Sequence, residues 1–193
     1  MTAHAIAIRL ADPRDAQAIA LMSRDLVETG LPWKYDAARI LKAIRDRDTL
    51  TPVACDRGRI AGFAIMEFGD ERAHLVLLAV RPAHRRLGIG RRLLEWLVES
   101  ARVAGMASLH LELRQGNEAA RGFYRAMGFD ETIVVPGYYR GREAALRMIR
   151  VLRATGPVSG YLHAQFFTGY GESLLDYNVR NKSQLRIGFA IVP

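Results

Sequence analysis

The chain has a single cysteine and no long hydrophobic run, and these two absences exclude several classes of protein. Cys55 has no partner for an internal disulfide, and one thiol cannot build a cysteine-rich metal site. No window approaches the roughly 20 apolar residues of a membrane-spanning helix. Arg9 and Asp12 interrupt the N-terminal segment early, so no signal peptide is predicted. We expect a cytoplasmic protein, and we interpret Cys55 as a buried, inert thiol rather than a nucleophile.

Metal-ligand spacing and nucleic-acid-binding patterns are also absent. His74, His84 and His110 are scattered along the chain, so no metal site is predicted. The formal net charge is +8, with local concentrations at 85–92 and 140–153, but no aromatic residues are interleaved with them to stack on bases. Nucleic acid is therefore not a required partner. The charge either attracts an anionic cofactor or a ribosomal surface over a distance, or reflects an arginine-rich proteome.

What is present indicates an ordinary globular domain. Of the 193 residues, 50% are hydrophobic and 25% are charged. Apolar periodicity predicts the order β-α-α-β-β-β-α-β-α-β-β, with helices that begin at Asp12-Pro13 and at Asp36. This order predicts an α/β domain with a mixed central sheet flanked by helices, over residues 1–153.

A glycine-containing turn is the most informative local feature. The run from Arg85 to Leu94 follows the predicted strand Ala73–Val80 and opens an amphipathic helix. Gly88 and Gly90 let backbone N–H groups converge at the helix N-terminus, which suits a phosphate or pyrophosphate. The run lacks the Gly-Lys-Ser/Thr of a P-loop and the third glycine of a dinucleotide fingerprint. The alternative is an ordinary helix start with a solvated basic face.

Several motifs together carry a family resemblance over residues 4–152. The Arg-x-x-Gly-x-Gly turn resembles the pyrophosphate loop of the GNAT superfamily of acyl-CoA-dependent N-acetyltransferases. The second half of that family is matched in order and spacing by 111–114, 117–120 and 123–129. Further segments are similar to the ribosomal-protein alanine N-acetyltransferases, namely Leu31-Pro32-Trp33, Gly137-Tyr138-Tyr139 and Gly141-Arg142-Glu143-Ala144.

The resemblance implies acetyl-CoA as co-substrate. It places the backbone of Leu78, Ala79 and Val80 along the pantetheine arm. It also implies a cofactor contact for Asn117, which as a helix N-cap would bond to its own helix as well. The residues that it implies for the pyrophosphate loop are Arg86, Leu87, Gly88, Ile89, Gly90 and Arg91.

For the chemistry, the resemblance implies two catalytic residues. Glu112, in the strand that follows the cofactor helix, corresponds to the general base, and Tyr124 to the proton donor for the leaving thiolate. The alternatives are a glutamate on a half-exposed strand and a tyrosine of the core. Because Cys55 is unsuited to carry an acetyl group, direct transfer in a ternary complex is preferred over a ping-pong mechanism.

The predicted acceptor is a protein N-terminal α-amine, and a ribosomal protein is one candidate. An α-amine has a pKa of about 8 and loses its proton far more easily than a lysine at about 10.4. Trp33 and Tyr138 correspond to residues that border the acceptor entrance in the resembling family. A small-molecule amine acetyltransferase and a non-catalytic acyl-CoA-binding or adaptor protein are the alternatives, and a homodimer stays open.

About forty residues follow the acetyltransferase pattern, and they form a predicted second part, 154–193. Residues 154–157 look like a linker, and period-two alternation beyond them predicts a β-hairpin-like extension of uncertain role. Residues 158–192 resemble the last hairpin of outer-membrane phospholipase A. No counterpart of that family's catalytic serine and histidine is found upstream, so phospholipase activity is not predicted.

Overall fold

A computed structural model describes residues 6–152 in full and the backbone of residues 159–170 and 180–192. The chain divides into two compact units, residues 1–153 and residues 154–193. No helix in the described part of the chain is long and apolar enough to cross a membrane. Cys55 is a free thiol that is half-buried, so the prediction of a buried thiol is wrong in degree.

The first unit is built on one large sheet. Its strands are β1 (Ala7–Leu10), β2 (Thr49–Leu50), β3 (Pro52–Asp56), β4 (Arg59–Phe68), β5 (Arg72–Val80), β6 (Ser108–Arg114), β7 (Asp130–Tyr139) and β8 (Glu143–Val151). The order across the eight-stranded sheet is β1-β3-β4-β5-β6-β8-β7, with β2 paired to β4. All pairs are antiparallel except β5 with β6. The predicted mixed sheet is confirmed; the sequence did not predict β2.

Within residues 6–152, four α-helices cover the sheet: α1 (Ala16–Leu26), α2 (Ala37–Arg45), α3 (Ile89–Val103) and α4 (Glu118–Ala126). The predicted helix start at Asp12 is wrong in detail, because Pro13–Asp15 forms a 3-10 turn before α1. The Asp12 carboxylate accepts a hydrogen bond from the backbone N–H of Arg14 at 2.9 Å, so the cap belongs to that turn. The predicted start of α2 is confirmed, since Asp36 accepts from the N–H of Arg39 at 2.8 Å.

The described residues form three hydrophobic clusters on the two faces of the sheet. One lies under α1 and α2, and the other two lie on the opposite face, the larger under α3 and α4 and the smaller under α3. A β-bulge in β5 changes the face to which its side chains point. Ile65 and Met66 of β4 pair with Leu77 and Leu75, which leaves Val76 as the extra residue. Leu75 therefore packs under α3 and α4, while Leu77 packs under α1 and α2. In a regular strand, these two leucines would share a face.

Pairing between the parallel strands β5 and β6 ends at the level of this bulge. Residues 72–75 pair with residues 108–111, but the continuations 76–80 and 112–114 have no partner in each other. Each strand keeps its other neighbour throughout, since β5 pairs with β4 up to Val80 and β6 pairs with β8 up to Arg114. The sheet is thus open between its two central strands at one end. We call this opening, between residues 76–80 and 112–114, the strand gap.

The second unit contains β9 (Ser159–Tyr170) and β10 (Arg180–Val192), which pair antiparallel in a two-stranded sheet. Leu162 pairs with Phe189, and Ala164 with Ile187, with an irregularity between Asn181 and Gln184. The predicted hairpin-like extension is confirmed at the level of the backbone. The predicted linker, 154–157, lies outside the described residues, as does part of the segment that resembles the phospholipase.

Candidate active site

The strand gap exposes backbone rather than side chains on its β5 side. Ala79 is buried, and Leu78 and Val80 are half-buried against the hydrophobic clusters. Because residues 76–80 pair with β4 on one side only, the backbone groups directed to the other side have no strand to bind among the residues that the structure describes. An extended ligand in the gap could therefore form hydrogen bonds with Leu78–Val80 as an additional strand does.

The glycine turn leads into α3 and is separated from β5 by a short 3-10 turn, Pro82–His84. Gly88 is the N-cap of α3 with φ of 76°, and Arg86 also has a positive φ, 64°. The cap forms no side-chain hydrogen bond, and the backbone N–H groups of residues 86–91 find no acceptor in the described part of the chain. A Cβ at Gly88 would contact nothing within 4 Å, so the turn is open to solvent. Six unpaired N–H groups at a helix N-terminus favour an anion.

The rest of the turn is anchored on one side and positively charged on the other. Ile89 is buried, and a Cβ added to Gly90 would lie 3.5 Å from Cζ of Phe123 in α4. Leu87 is 62% exposed beside the open turn. Arg86 and Arg91 are exposed and pair with no carboxylate among residues 6–152. Their charge is therefore free to act on a ligand phosphate.

Helix α4 holds the predicted proton donor next to this turn. The Asn117 side chain accepts a hydrogen bond from the N–H of Ala120 at 3.1 Å, so it caps α4 as the sequence indicates. The ring of Tyr124 packs edge-on between Phe123 and Phe129, at centroid distances of 5.1 Å and 5.5 Å. Its hydroxyl forms no hydrogen bond with any described residue. Burial raises the pKa of Tyr124, so the phenol stays protonated and can donate.

Glu112 is the first residue of β6 beyond the paired stretch, so it lies at the base of the strand gap. Its carboxylate is bound from two neighbouring strands: Oε2 lies 2.6 Å from Nε2 of His74, and Oε1 accepts a hydrogen bond from Nε of Arg147 at 3.0 Å. The Glu112 side chain is 15% exposed, against 42% for His74 and 49% for Arg147. The carboxylate is thus held in place while its partners reach solvent.

These two cations determine the acid–base state of the pair. The hydrogen bond from His74, aided by Arg147, holds the pKa of Glu112 below its usual value despite partial burial. The same hydrogen bond raises the pKa of His74. Near neutral pH Glu112 is ionised, and the protonation of His74 controls how strongly the carboxylate attracts a further proton.

A second histidine on the same face is engaged elsewhere. His110 lies directly opposite His74 in the sheet, and its Nε2 is 2.8 Å from the Ser108 hydroxyl. Burial lowers the pKa of His110, so it is neutral where His74 is charged. No group of side chains in the described part of the chain has the arrangement of a metal site.

The loop 28–35 carries Trp33 and is closed by a buried carboxylate. Glu28 is 7% exposed, and its carboxylate accepts hydrogen bonds from the N–H of Lys34 at 2.7 Å and of Tyr35 at 3.2 Å. The Trp33 indole donates to the Tyr35 carbonyl at 3.0 Å, yet the side chain is 41% exposed. The loop therefore presents a fixed aromatic ring to solvent.

The β7–β8 hairpin carries the second aromatic pair. Tyr138 is 46% exposed and packs edge-on against Tyr139, with centroids 5.0 Å apart. Burial, together with the negative charge of Glu112, raises the pKa of Tyr138. Burial also raises the pKa of Tyr139 to about 12. Tyr138 thus lies within electrostatic range of Glu112, whereas the rings of Trp33 and Tyr138 make no contact with each other.

Sequence reasoning missed the partners of Glu112. His74 lies 38 positions before Glu112, and Arg147 lies 35 after it, so only the strand register reveals these contacts. It also missed Arg114, two residues after Glu112, which contacts both the loop 28–35 and the β7–β8 hairpin. Glu112 and Arg114 stand two residues apart in β6, and this spacing of charged residues is the one sequence signal that predicts a shared face of the strand.

Comparison with known proteins shows to which family the chain is similar. The family model described as "Acetyltransferase (GNAT) family" matches residues 17–129. An uncharacterized N-acetyltransferase of Methanocaldococcus jannaschii is 31% identical over 153 residues, covering 78% of this chain and 96% of that protein. The ribosomal protein bS18-alanine N-acetyltransferase of Escherichia coli strain K12 is 40% identical over 94 residues, 47% of this chain and 64% of that protein. That alignment therefore spans less than two thirds of the enzyme.

Solved structures extend the similarity over most of the first unit. The ribosomal-protein-S18-alanine N-acetyltransferase of Escherichia coli superposes with a TM-score of 0.69 at 29% identity, covering 79% of this chain and 97% of that one. A putative acetyltransferase of Salmonella typhimurium, solved with its cofactor acetyl-CoA, has the same fold, with a TM-score of 0.68 at 23% identity over 79% and 96% of the two chains. The chain belongs to the GNAT family of acetyltransferases.

Proposed function

We propose that this N-acetyltransferase transfers the acetyl group of acetyl-CoA directly to a protein N-terminal α-amine in the cytoplasm. The observation that carries the proposal is the position of Glu112. Its carboxylate lies at the base of the strand gap and is held there by His74 and Arg147. A fixed carboxylate at the end of an open backbone channel suits proton removal from a bound amine.

The cofactor would enter along the strand gap. Its pyrophosphate would bind the unpaired N–H groups of residues 86–91 in the field of Arg86 and Arg91. The pantetheine arm would pair with the free backbone of Leu78–Val80, which directs the thioester to the level of Glu112. Asn117, which caps α4, would contact the cofactor from the side opposite to Leu78–Val80.

Both protons of the reaction have an assigned route in this site. An α-ammonium group of pKa about 8 is already partly neutral near pH 7, so Glu112 need not be a strong base. The neutral nitrogen attacks the thioester carbonyl, the C–S bond breaks as the C–N bond forms, and Glu112 accepts the proton that the nitrogen loses. Tyr124 donates its phenolic proton to the departing thiolate. Glu112 then releases its proton to solvent, and Tyr124 regains one from solvent.

The acceptor would enter between the loop 28–35 and the β7–β8 hairpin. Trp33 and Tyr138 are exposed rings, the first oriented by a hydrogen bond and the second by its contact with Tyr139, and they favour a slim, extended chain end over a lysine on a folded surface. We infer a preference for a small first residue. A ribosomal protein is one candidate substrate, since an E. coli relative bears the name of a bS18-alanine N-acetyltransferase.

A peptide library tests this function. Peptides that differ in the first residue, each with one internal lysine, are incubated with acetyl-CoA, and mass spectrometry locates the acetyl group. We expect N-terminal acetylation of small first residues. Glu112→Gln should lower turnover by about two to four powers of ten. Acetylation confined to small amines, or faster at lysines, would contradict the proposed acceptor.

A matched control separates chemistry from the loss of an ion pair. Glu131 lies in β7 and pairs with Arg121 at 2.6 Å, so it is also a strand glutamate bound to arginine. Glu131→Gln should leave turnover near the wild-type value. Equal losses in the two variants would show that ion pairing, rather than proton transfer, accounts for the effect of Glu112→Gln.

A further inference from the structure

Arg114, at the end of β6, joins three separate segments around the acceptor side of the site. Its Nη2 donates a hydrogen bond to the Thr29 carbonyl at 2.6 Å, in the loop 28–35. Its Nη1 donates to Oε2 of Glu143 at 3.3 Å, at the start of β8. Its guanidinium also lies 5.7 Å from the ring centroid of Tyr139, at the end of β7. One half-buried side chain thus connects the loop with both strands of the hairpin.

The loop that Arg114 contacts is braced internally. The Glu28 carboxylate closes it at its far end, and the Thr29 hydroxyl donates to the Asp25 carbonyl at 2.8 Å, which fixes its start to α1. A displacement of Thr29 would therefore carry Trp33 with it. The hydrogen bond from Arg114 to the carbonyl of Thr29 sets where this segment sits relative to β6.

The hairpin on the other side is coupled to the same arginine. Tyr139 and Glu143 face each other as Cα partners across β7 and β8. Both are contacted by Arg114, and Tyr139 packs against Tyr138. The position of Tyr138 thus depends on Arg114 through one intervening ring.

We infer that Arg114 sets the separation between Trp33 and Tyr138, and that this separation limits the size of the first acceptor residue. The inference rests on the proposed function, which places the acceptor between these two rings. Arg114 acts here as a positioning and specificity-determining residue, since it acts through the rings on either side. It extends from the same face of β6 as Glu112, two residues away, so the entrance and the carboxylate share one strand.

Arginine is suited to this role in a way that lysine is not. Its planar guanidinium has donors in two directions and a face for an aromatic ring, so it can serve a carbonyl, a carboxylate and a tyrosine together. A lysine at the same position is a point charge on a flexible stem and can hold one partner well. Arg114→Lys therefore preserves charge and bulk while it loosens the connection between the two walls.

The experiment compares steady-state kinetics of the full chain and its Arg114→Lys and Arg114→Met variants. The substrates are acetyl-CoA and two peptides that differ only in the first residue, alanine or leucine. We expect the KM for the alanine peptide to rise roughly tenfold in Arg114→Met, in line with the loss of a hydrogen bond from a charged donor. In the same variant, the ratio of kcat/KM for the alanine peptide to that for the leucine peptide should fall by at least about threefold. The KM for acetyl-CoA should stay within about twofold of the wild-type value.

Two further variants keep the test decisive. Arg150→Met is the matched control, because Arg150 donates to the Met127 carbonyl at 2.7 Å in a different part of the sheet. It should leave the peptide preference unchanged. Glu143→Gln removes only one of the Arg114 partners and should shift the preference in the same direction by less. It also replaces Arg114→Met if that variant does not fold.

The outcomes separate this inference from the proposed function. If the wild-type protein acetylates neither peptide at its N-terminus, both the proposed function and the inference are wrong. If the wild-type protein prefers the alanine peptide and the Arg114 variants keep that preference, the inference alone is overturned. An equal rise in the KM for acetyl-CoA and in the KM for the peptide would also overturn the inference, because it would show that Arg114 has only a structural role.

Discussion

Removal of one oxygen atom from Tyr124 should separate its chemical role from its structural role. The ring fills a position between Phe123 and Phe129, while the hydroxyl has no hydrogen-bond partner among the described residues. Tyr124→Phe keeps the ring packing and removes only the hydroxyl. We therefore expect the free energy of unfolding to change by less than about 0.5 kcal/mol, because no hydrogen bond within the protein is lost.

The rate should respond very differently. Proton donation to a leaving group is worth roughly 10²–10⁴-fold in general. A thiol has a pKa of about 8.5, so the thiolate leaves fairly well without help, and the loss should lie at or below the lower end of that range. We expect kcat to fall about 10- to 100-fold, with the KM for acetyl-CoA nearly unchanged. The assay follows thiol release in parallel with urea unfolding of the same samples.

Tyr124→Ala is the structural control for this prediction. Loss of a buried aromatic side chain should cost about 3–5 kcal/mol of unfolding free energy, and the two edge-on ring contacts vanish with it. The reasoning is refuted if Tyr124→Phe turns over within about twofold of wild type. It is also refuted if that variant loses more than about 1 kcal/mol, since the hydroxyl would then have a structural partner.

Three further predictions concern the cofactor, the His74–Glu112 pair and the second unit. Gly88→Glu should abolish CoA binding, as measured by calorimetry. The change strains a residue with φ of 76° and adds negative charge where a phosphate would bind. Unchanged CoA affinity in a folded variant would show that the phosphate binds elsewhere. The pKa of His74 is raised and that of Glu112 is lowered, so their mutual stabilisation is present between the two pKa values and is lost as the pH rises through that of His74. His74→Gln should therefore cost more unfolding free energy at about pH 5.5 than at about pH 8.5, and an equal cost would refute the charge assignment. A protein that ends at Arg153 should fold and acetylate at nearly the full rate, and unfolding or loss of turnover would show that residues 154–193 are required.

The parts of this site that the sequence predicts are those formed by neighbours along the chain. The glycine turn and the Asn117 cap depend on spacings of a few residues, so glycine conformation and capping rules are enough to place them. The sequence does not predict where α1 begins, because Asp12 and the residues after it satisfy their cap within a 3-10 turn. Propensity does not distinguish such a turn from a first helical turn.

The partners of Glu112 could not be predicted for a different reason. They depend on the register of three strands that are far apart in the sequence, and on where β5 and β6 stop pairing. The run from Ala73 to Val80 gives no sign of the bulge, since its apolar side chains suit either face. A shift of one position in β5 would direct His74 into a core and leave Glu112 without its partner.

The bulge connects the fold to the chemistry. Val76 is the extra residue of β5, Leu75 is the last residue paired to β6, and Glu112 follows Leu111, the partner of Leu75. The change of face, the end of pairing and the carboxylate therefore occur at one level of the sheet. Because the bulge twists β5 away from its regular course, it accounts for an opening that a regular parallel pair would close with hydrogen bonds. The site thus depends on one irregular residue, whose apolar side chain has no chemical role of its own.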